Sequence, residues 1–158
     1  MTVTIVASSL ITSTPNAQAQ SISPELKAAL EAANFNYRIV KEDSVEVDLN
    51  LKTTNKGLAV RGTVIIGPVI SAGNLKMRNM QVGINKVGKL DIPNDFKVEN
   101  FFRLIPGSVI LVEESGGAQL QVVNRITVDQ MTRNPKAFQN KVEGTLRSAA
   151  TLENWLRK

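Results

Sequence analysis

The chain has 158 residues, and 19 Lys plus Arg against 14 Asp plus Glu give a formal net charge of +5. It contains no Cys and no His, which excludes a disulfide framework, a thiolate nucleophile, a cysteine-ligated zinc and the usual near-neutral acid/base group. The length suits one domain, and an apolar share of 42% with 21% charged residues is enough to build a core without covalent staples.

Residues 1–20 carry no charged side chain. An apolar run from Val3 to Ile11, interrupted by Thr4, Ser8 and Ser9, leads into a polar segment and then the small-x-small pattern Ala17-Gln18-Ala19. This resembles a secretory signal peptide cleaved after Ala19. No Lys or Arg precedes the run, so the expectation is a leader over 1–19 whose true start lies upstream. The expected location is periplasmic or secreted. The run is too short for a membrane span, which needs about 20 apolar residues.

Residues 20–158 read as a single domain. Ser23-Pro24 predicts a helix start, since Ser caps free amides and Pro fits the first helical position. Leu26, Ala29, Leu30 and Ala33 line one face of that helix, and Asn34 ends it. The period then changes to two. Tyr37 and Ile39, the polar Lys41-Glu42-Asp43, then Val45, Val47, Leu49 and Leu51 predict a hairpin with one buried face. A third strand is expected over 58–66, bounded by Gly57 and by Gly67-Pro68. Leu75, Met77 and Met80 suggest a further strand, and Val82, Ile84 and Val87 another.

Asn94-Asp95 is expected to cap a second helix carrying Phe96, Phe101, Leu104 and Ile105, stopped by Pro106-Gly107. Val109, Leu111 and Val112, the turn Ser115-Gly116-Gly117, and Leu120, Val122 and Ile126 predict a second hairpin. Thr127 to Gln130 resembles a capping box for a short helix. Asn134-Pro135 then opens a long one, with Phe138, Val142, Leu146, Ala149, Leu152 and Leu156 on one face. The expected class is α+β: an antiparallel sheet with helices packed on one face, in the order α-β-β-β-α-β-β-α.

Chemistry is sparse. Neither GxxxxGK[ST] nor GxGxxG occurs, and no SxxK stands at a strand-to-helix turn. Glu42-Asp43 and Glu113-Glu114 fall where strands meet turns, which reads as solvated tips rather than a catalytic pair. Asp91 with its neighbouring Asn residues is opposed as a cation site by Lys86 and Lys89. No catalytic residue, cofactor or metal is therefore expected.

One charge feature stands out. Between Asp48 and Asp91 there is no acidic residue, while Lys52, Lys56, Arg61, Lys76, Arg78, Lys86 and Lys89 lie there. Such a stretch is an ordinary solvated strand face, a positive surface for an acidic protein or peptide, or a site for anionic lipid or nucleic acid. Arg61, Lys76 and Arg78 are the candidate contacts. No aromatic residue occurs between Tyr37 and Phe96, which argues against nucleic acid as the partner. Among the aromatics, Phe96, Phe101, Phe138 and Trp155 fit core positions. Phe102 falls off the apolar stripe of its helix and is a further candidate contact.

The segments PELKAALEAANFNYRIVKEDSVEVDL and VENFFRLIPGSVILVEESGGAQLQVVNRITVDQMTRNPKAFQNKVEGTLRSAATLENWL, in this order, resemble the YbjN family. These bacterial sensory transduction regulator domains have a type III secretion chaperone-like fold. Phe138 and the cluster Leu152-Trp155-Leu156 stand where that family's last helix carries an aromatic and a closing apolar group. The resemblance implies a non-enzymatic protein that binds another protein or itself as a homodimer, with no catalytic residues to carry over. The functional expectation is an exported protein-binding module, chaperone-like or regulatory. The alternative is a periplasmic carrier of a small ligand or lipid in an apolar pocket.

Overall fold

A computed structural model describes residues 21–52, 59–84, 108–114 and 117–156. Helix α1 (Pro24–Ala32) is followed by strands β1 (Tyr37–Lys41), β2 (Ser44–Lys52), β3 (Ala59–Ala72) and β4 (Leu75–Gly83). Strands β5 (Ser108–Glu114) and β6 (Gly117–Thr127) then lead into helices α2 (Val128–Arg133) and α3 (Pro135–Leu156). The fold is α+β. Among the described residues six strands form one sheet in the order β1-β2-β3-β4-β6-β5, and every neighbouring pair is antiparallel.

Local chemistry explains the helix ends. The Ser23 hydroxyl accepts from the Leu26 amide, with Pro24 in the first turn. At the other end Asn34 has φ +57°, the left-handed conformation that Asn tolerates. The Phe35 amide donates to Leu30 O and the Asn34 amide to Glu31 O, which satisfies two carbonyls that the helix leaves open. Thr127 caps α2 through the Gln130 amide, and Asn134 caps α3 through the Ala137 amide at 2.9 Å.

Two strand expectations need correction. Gly67-Pro68 does not end β3. The pairing passes from Ile66↔Met80 to Val69↔Arg78, so Gly67 and Pro68 together face Asn79 as a bulge. A proline is tolerated there because no ladder amide is required of it. Residues 75–83 then form one strand rather than parts of two, because Arg78 takes the same alternation phase as Met80 and Val82. Among the described residues four strands therefore precede residue 85, where the expected order has three. The helix expected over 94–105, with Phe96, Phe101 and Phe102, lies outside the described residues, as does the leader over 1–19.

Register assigns the sheet its two faces. Val45, Val47 and Leu51 of β2 stand opposite Ile66, Val64 and Val60 of β3, and β4 and β6 continue the row with Met80, Val82, Val122 and Ile126. These side chains share one core with Leu26 and Leu30 of α1, Met131 of α2, and Phe138, Val142, Leu146 and Leu152 of α3. Phe35 meets Phe138 edge to face, with ring centroids 5.8 Å apart. The alternate residues Arg38, Glu46, Asp48, Asn50, Arg61 and Thr63 occupy the far face.

Gly62 lets α3 approach the sheet. A Cβ added there would stand 2.5 Å from Leu146 Cδ1. Leu146 ends in a rotatable isobutyl group, so alanine is absorbed by a rotamer change. The branched side chain of Gly62→Val has no such relief and is expected to cost about 1–3 kcal/mol. Urea unfolding of both variants checks this. Equal midpoints for Gly62→Val and the parent chain would show that α3 does not press on this strand.

Candidate partner-binding surface

The most tightly organised polar group in the described structure surrounds Arg78. This side chain is 1% exposed and lies in β4 at a core position. Its Nη2 donates to Asp43 Oδ2 at 2.8 Å, Asp43 Oδ1 at 2.9 Å and Ser23 Oγ at 2.8 Å. Its Nη1 donates to the carbonyls of Gly67 at 2.8 Å and Asp43 at 3.1 Å. The Ser23 amide donates to Asp43 Oδ1 at 3.0 Å, and the Asp43 amide to Ser21 O at 2.9 Å. One guanidinium therefore ties together the start of α1, the β1–β2 turn and the β3 bulge.

Burial alone would raise the Asp43 pKa. Hydrogen bonds from Arg78 and Ser23, with the guanidinium charge, outweigh it and hold this carboxyl below its ordinary value. Asp43 has φ +49°, so the turn places its backbone in the left-handed region. Arg78 Nε is the one buried side-chain polar atom without a partner among the described residues.

Arg78 is consequently not a partner contact. The expectation of a positive surface at this position fails, because its charge is spent inside the fold. The other candidates do not converge. Arg61 is exposed on the far face opposite Asn50, while Lys76, also exposed, shares the alternation phase of Arg78 on the other face. Lys52 is exposed at the end of β2, and Lys56, Lys86, Lys89 and Phe102 lie outside the described residues. Among the described residues the basic stretch does not form one patch.

Apolar exposure gathers elsewhere. The pairing of β2 with β3 ends at Val45↔Ile66, and that of β4 with β6 ends at Met77↔Thr127. From Ser71 to Lys76 the two strands pair only with each other and extend past the sheet as a two-stranded ribbon, turning at Gly73 with φ +59°, while Val69 and Ile70 at its base pair with Arg78 and Met77 and have no β2 partner. Val69 is 36% exposed, Ile70 43% and Leu75 56%. Most of the large apolar side chains exposed among the described residues are on this ribbon and its base.

Two grooves flank its base. On the far face, a groove of about 310 Å³ opens between the β1 irregularity around Val40 and the β3 bulge. Val40, Ile65, Pro68 and Ile70 supply its apolar lining, and Lys41, Glu46, Asn79 and Gln81 its polar lining. On the other side, about 460 Å³ lies between Leu75 and Lys76 of the ribbon and Val128, Asp129 and Thr132 of α2. Sequence reasoning missed this surface. The signal lies in Val69-Ile70 beyond Gly67-Pro68, but a glycine-proline pair ends a strand in any reading that does not know the register of its neighbour.

Compared with protein-family models, curated proteins and solved structures, the chain matches none. Among the described residues, no helix is long and apolar enough to cross a membrane.

Proposed function

We propose that this chain is a protein-binding module, non-enzymatic and exported, with a chaperone-like or regulatory role. The observation that carries the reading is the β3–β4 ribbon with its base, where Leu75 near the tip and Val69 and Ile70 at the base are exposed to solvent beside the anchor that Arg78 provides. Exposed apolar side chains grouped on one element fit a protein partner, because burying them on association releases the free energy that exposure withholds. Lys76 beside them adds a charge that favours an acidic partner. The small-x-small pattern at Ala17-Gln18-Ala19 supports export, and the resemblance to the YbjN family supports a binding role without catalysis.

The test is capture of the affinity-tagged full chain from the envelope of its host, followed by reconstitution with the purified partner. The expected result is one protein, or a second copy of this chain, in fixed ratio. Its affinity should fall about tenfold or more when Val69 and Leu75 are both changed to serine, since each buried aliphatic side chain contributes roughly 1.5–3 kcal/mol. Release by moderate salt would add Lys76 to the contact. A purified partner that binds the serine variant as tightly as the parent removes the ribbon from the reading.

A further inference from the structure

The 310 Å³ groove at the ribbon base has the features of a built site. Two separate irregularities shape it: the β1 register shift between Ile39 and Lys41, and the β3 bulge at Gly67-Pro68. Bulges bend strands and re-aim side chains. Here Arg78 holds both from behind, through the Gly67 carbonyl and through the Asp43 turn that joins β1 to β2. A buried ion pair is a poor way to gain stability, since apolar residues of similar size do as well or better. Its effect here is geometric, keeping the two bulged segments at a set distance.

The groove's polar lining sets one cation, Lys41, and two amides, Asn79 and Gln81, beside one carboxylate, Glu46. Glu46 is engaged by Arg38, with Arg38 Nη2 at 2.5 Å from its carboxylate. Lys41 has no ion-pair partner among the described residues. Asn79 Oδ1 already accepts from Arg125 Nε at 3.2 Å, which leaves that amide its N–H donors. Beside these lies the apolar surface of Ile65 and Ile70.

We infer that this groove binds an extended segment of a partner protein in which acidic and apolar residues alternate. Alternation at period two places one set of side chains on the apolar surface and the carboxylates at the rim beside Lys41. Backbone carbonyls of the segment accept from Asn79 and Gln81. The volume is at the low end for a ligand pocket, enough for one or two side chains rather than an acyl chain. The inference rests on the protein-binding reading and names the chemistry of the partner.

The probe is an acetylated, amidated peptide of alternating Glu and Val, titrated into the full chain by isothermal calorimetry and by NMR. Saturable binding with shifts centred on Ile65, Ile70 and Gln81 is expected. Lys41→Glu and Ile70→Ser should each weaken it about tenfold, one through charge and one through lost apolar contact. Both side chains are exposed, and circular dichroism verifies that each variant folds. Equal binding by a Lys/Val or a Glu/Ser peptide, or indifference to both variants, overturns the inference. So does binding of phosphatidylglycerol vesicles without binding of the peptide. If the peptide fails while a reconstituted partner still depends on Val69 and Leu75, the groove chemistry falls and the protein-binding reading stands.

Discussion

Arg78→Ala is expected to lower the unfolding free energy by about 3–5 kcal/mol, the range for removing one partner of a buried ion pair. The loss has several sources that point the same way. Alanine leaves the carbonyls of Gly67 and Asp43 without their donor, and it strips the Asp43 carboxylate of its countercharge. It also opens space at one of the largest fully buried side chains. Arg78→Met separates these sources, because it keeps most of the volume and removes only the charge and the donors. Combined with Asp43→Asn, methionine should regain part of the loss, since no unpaired charge remains. Urea unfolding of the two single variants and the double variant closes a thermodynamic cycle. A loss below about 1 kcal/mol for Arg78→Ala would show that this group is not held as described.

The same pair sets a pH dependence. The folded-state pKa of Asp43 lies below the ordinary value of 3.8 that the unfolded chain retains. The unfolded state therefore binds the proton first as pH falls. The stabilisation is fully present above about pH 4 and is lost as pH falls through the folded-state value. Asp43→Asn abolishes this contribution without adding backbone strain, since asparagine tolerates the left-handed region that residue 43 occupies. Stability measured from neutral to acid pH should fall more steeply for the parent chain than for the asparagine variant.

What could be read from the sequence follows the range of the forces involved. Ser23, Thr127 and Asn134 act within three residues, and each caps the helix that its position suggests. Alternation in β2 and the helical period of α3 are equally local, so the first hairpin and the long helix were legible. The partners of Arg78 are not local. Asp43 stands 35 positions away, so a chain scan sees only a cation in a basic stretch and sends it to the surface. The bulge at Gly67-Pro68 was hidden for a related reason: a glycine-proline pair ends a strand unless a neighbouring strand supplies a register that skips it, as β4 does. Exposure of the ribbon depends on where β2 and β6 stop pairing, which no property of Val69 or Leu75 reveals. The candidate surface is thus set by strand lengths in three dimensions, and charge counting pointed to Arg61 and Lys76 without placing them on different faces.

Phe138→Ala is expected to cost about 3–5 kcal/mol, the usual range for truncating a buried aromatic. Phe138 is fully buried in the first turns of α3, where its ring meets Phe35 edge to face just after α1. It therefore joins the two ends of the helical layer, and alanine removes both the burial and the ring pair. The loss is a large share of the 5–15 kcal/mol that holds a domain of this size, so Phe138→Leu is the more informative variant. Leucine fills much of the cavity and should lose less, with an unchanged urea slope if folding stays two-state. Phe138 belongs to the core, whereas Val69 and Leu75 are exposed on the ribbon and its base. A folded Phe138→Leu chain should then bind a reconstituted partner as tightly as the parent, while the Val69 and Leu75 serine variant keeps its stability and loses the partner. Loss of both properties in Phe138→Leu would place the binding surface on the helices instead.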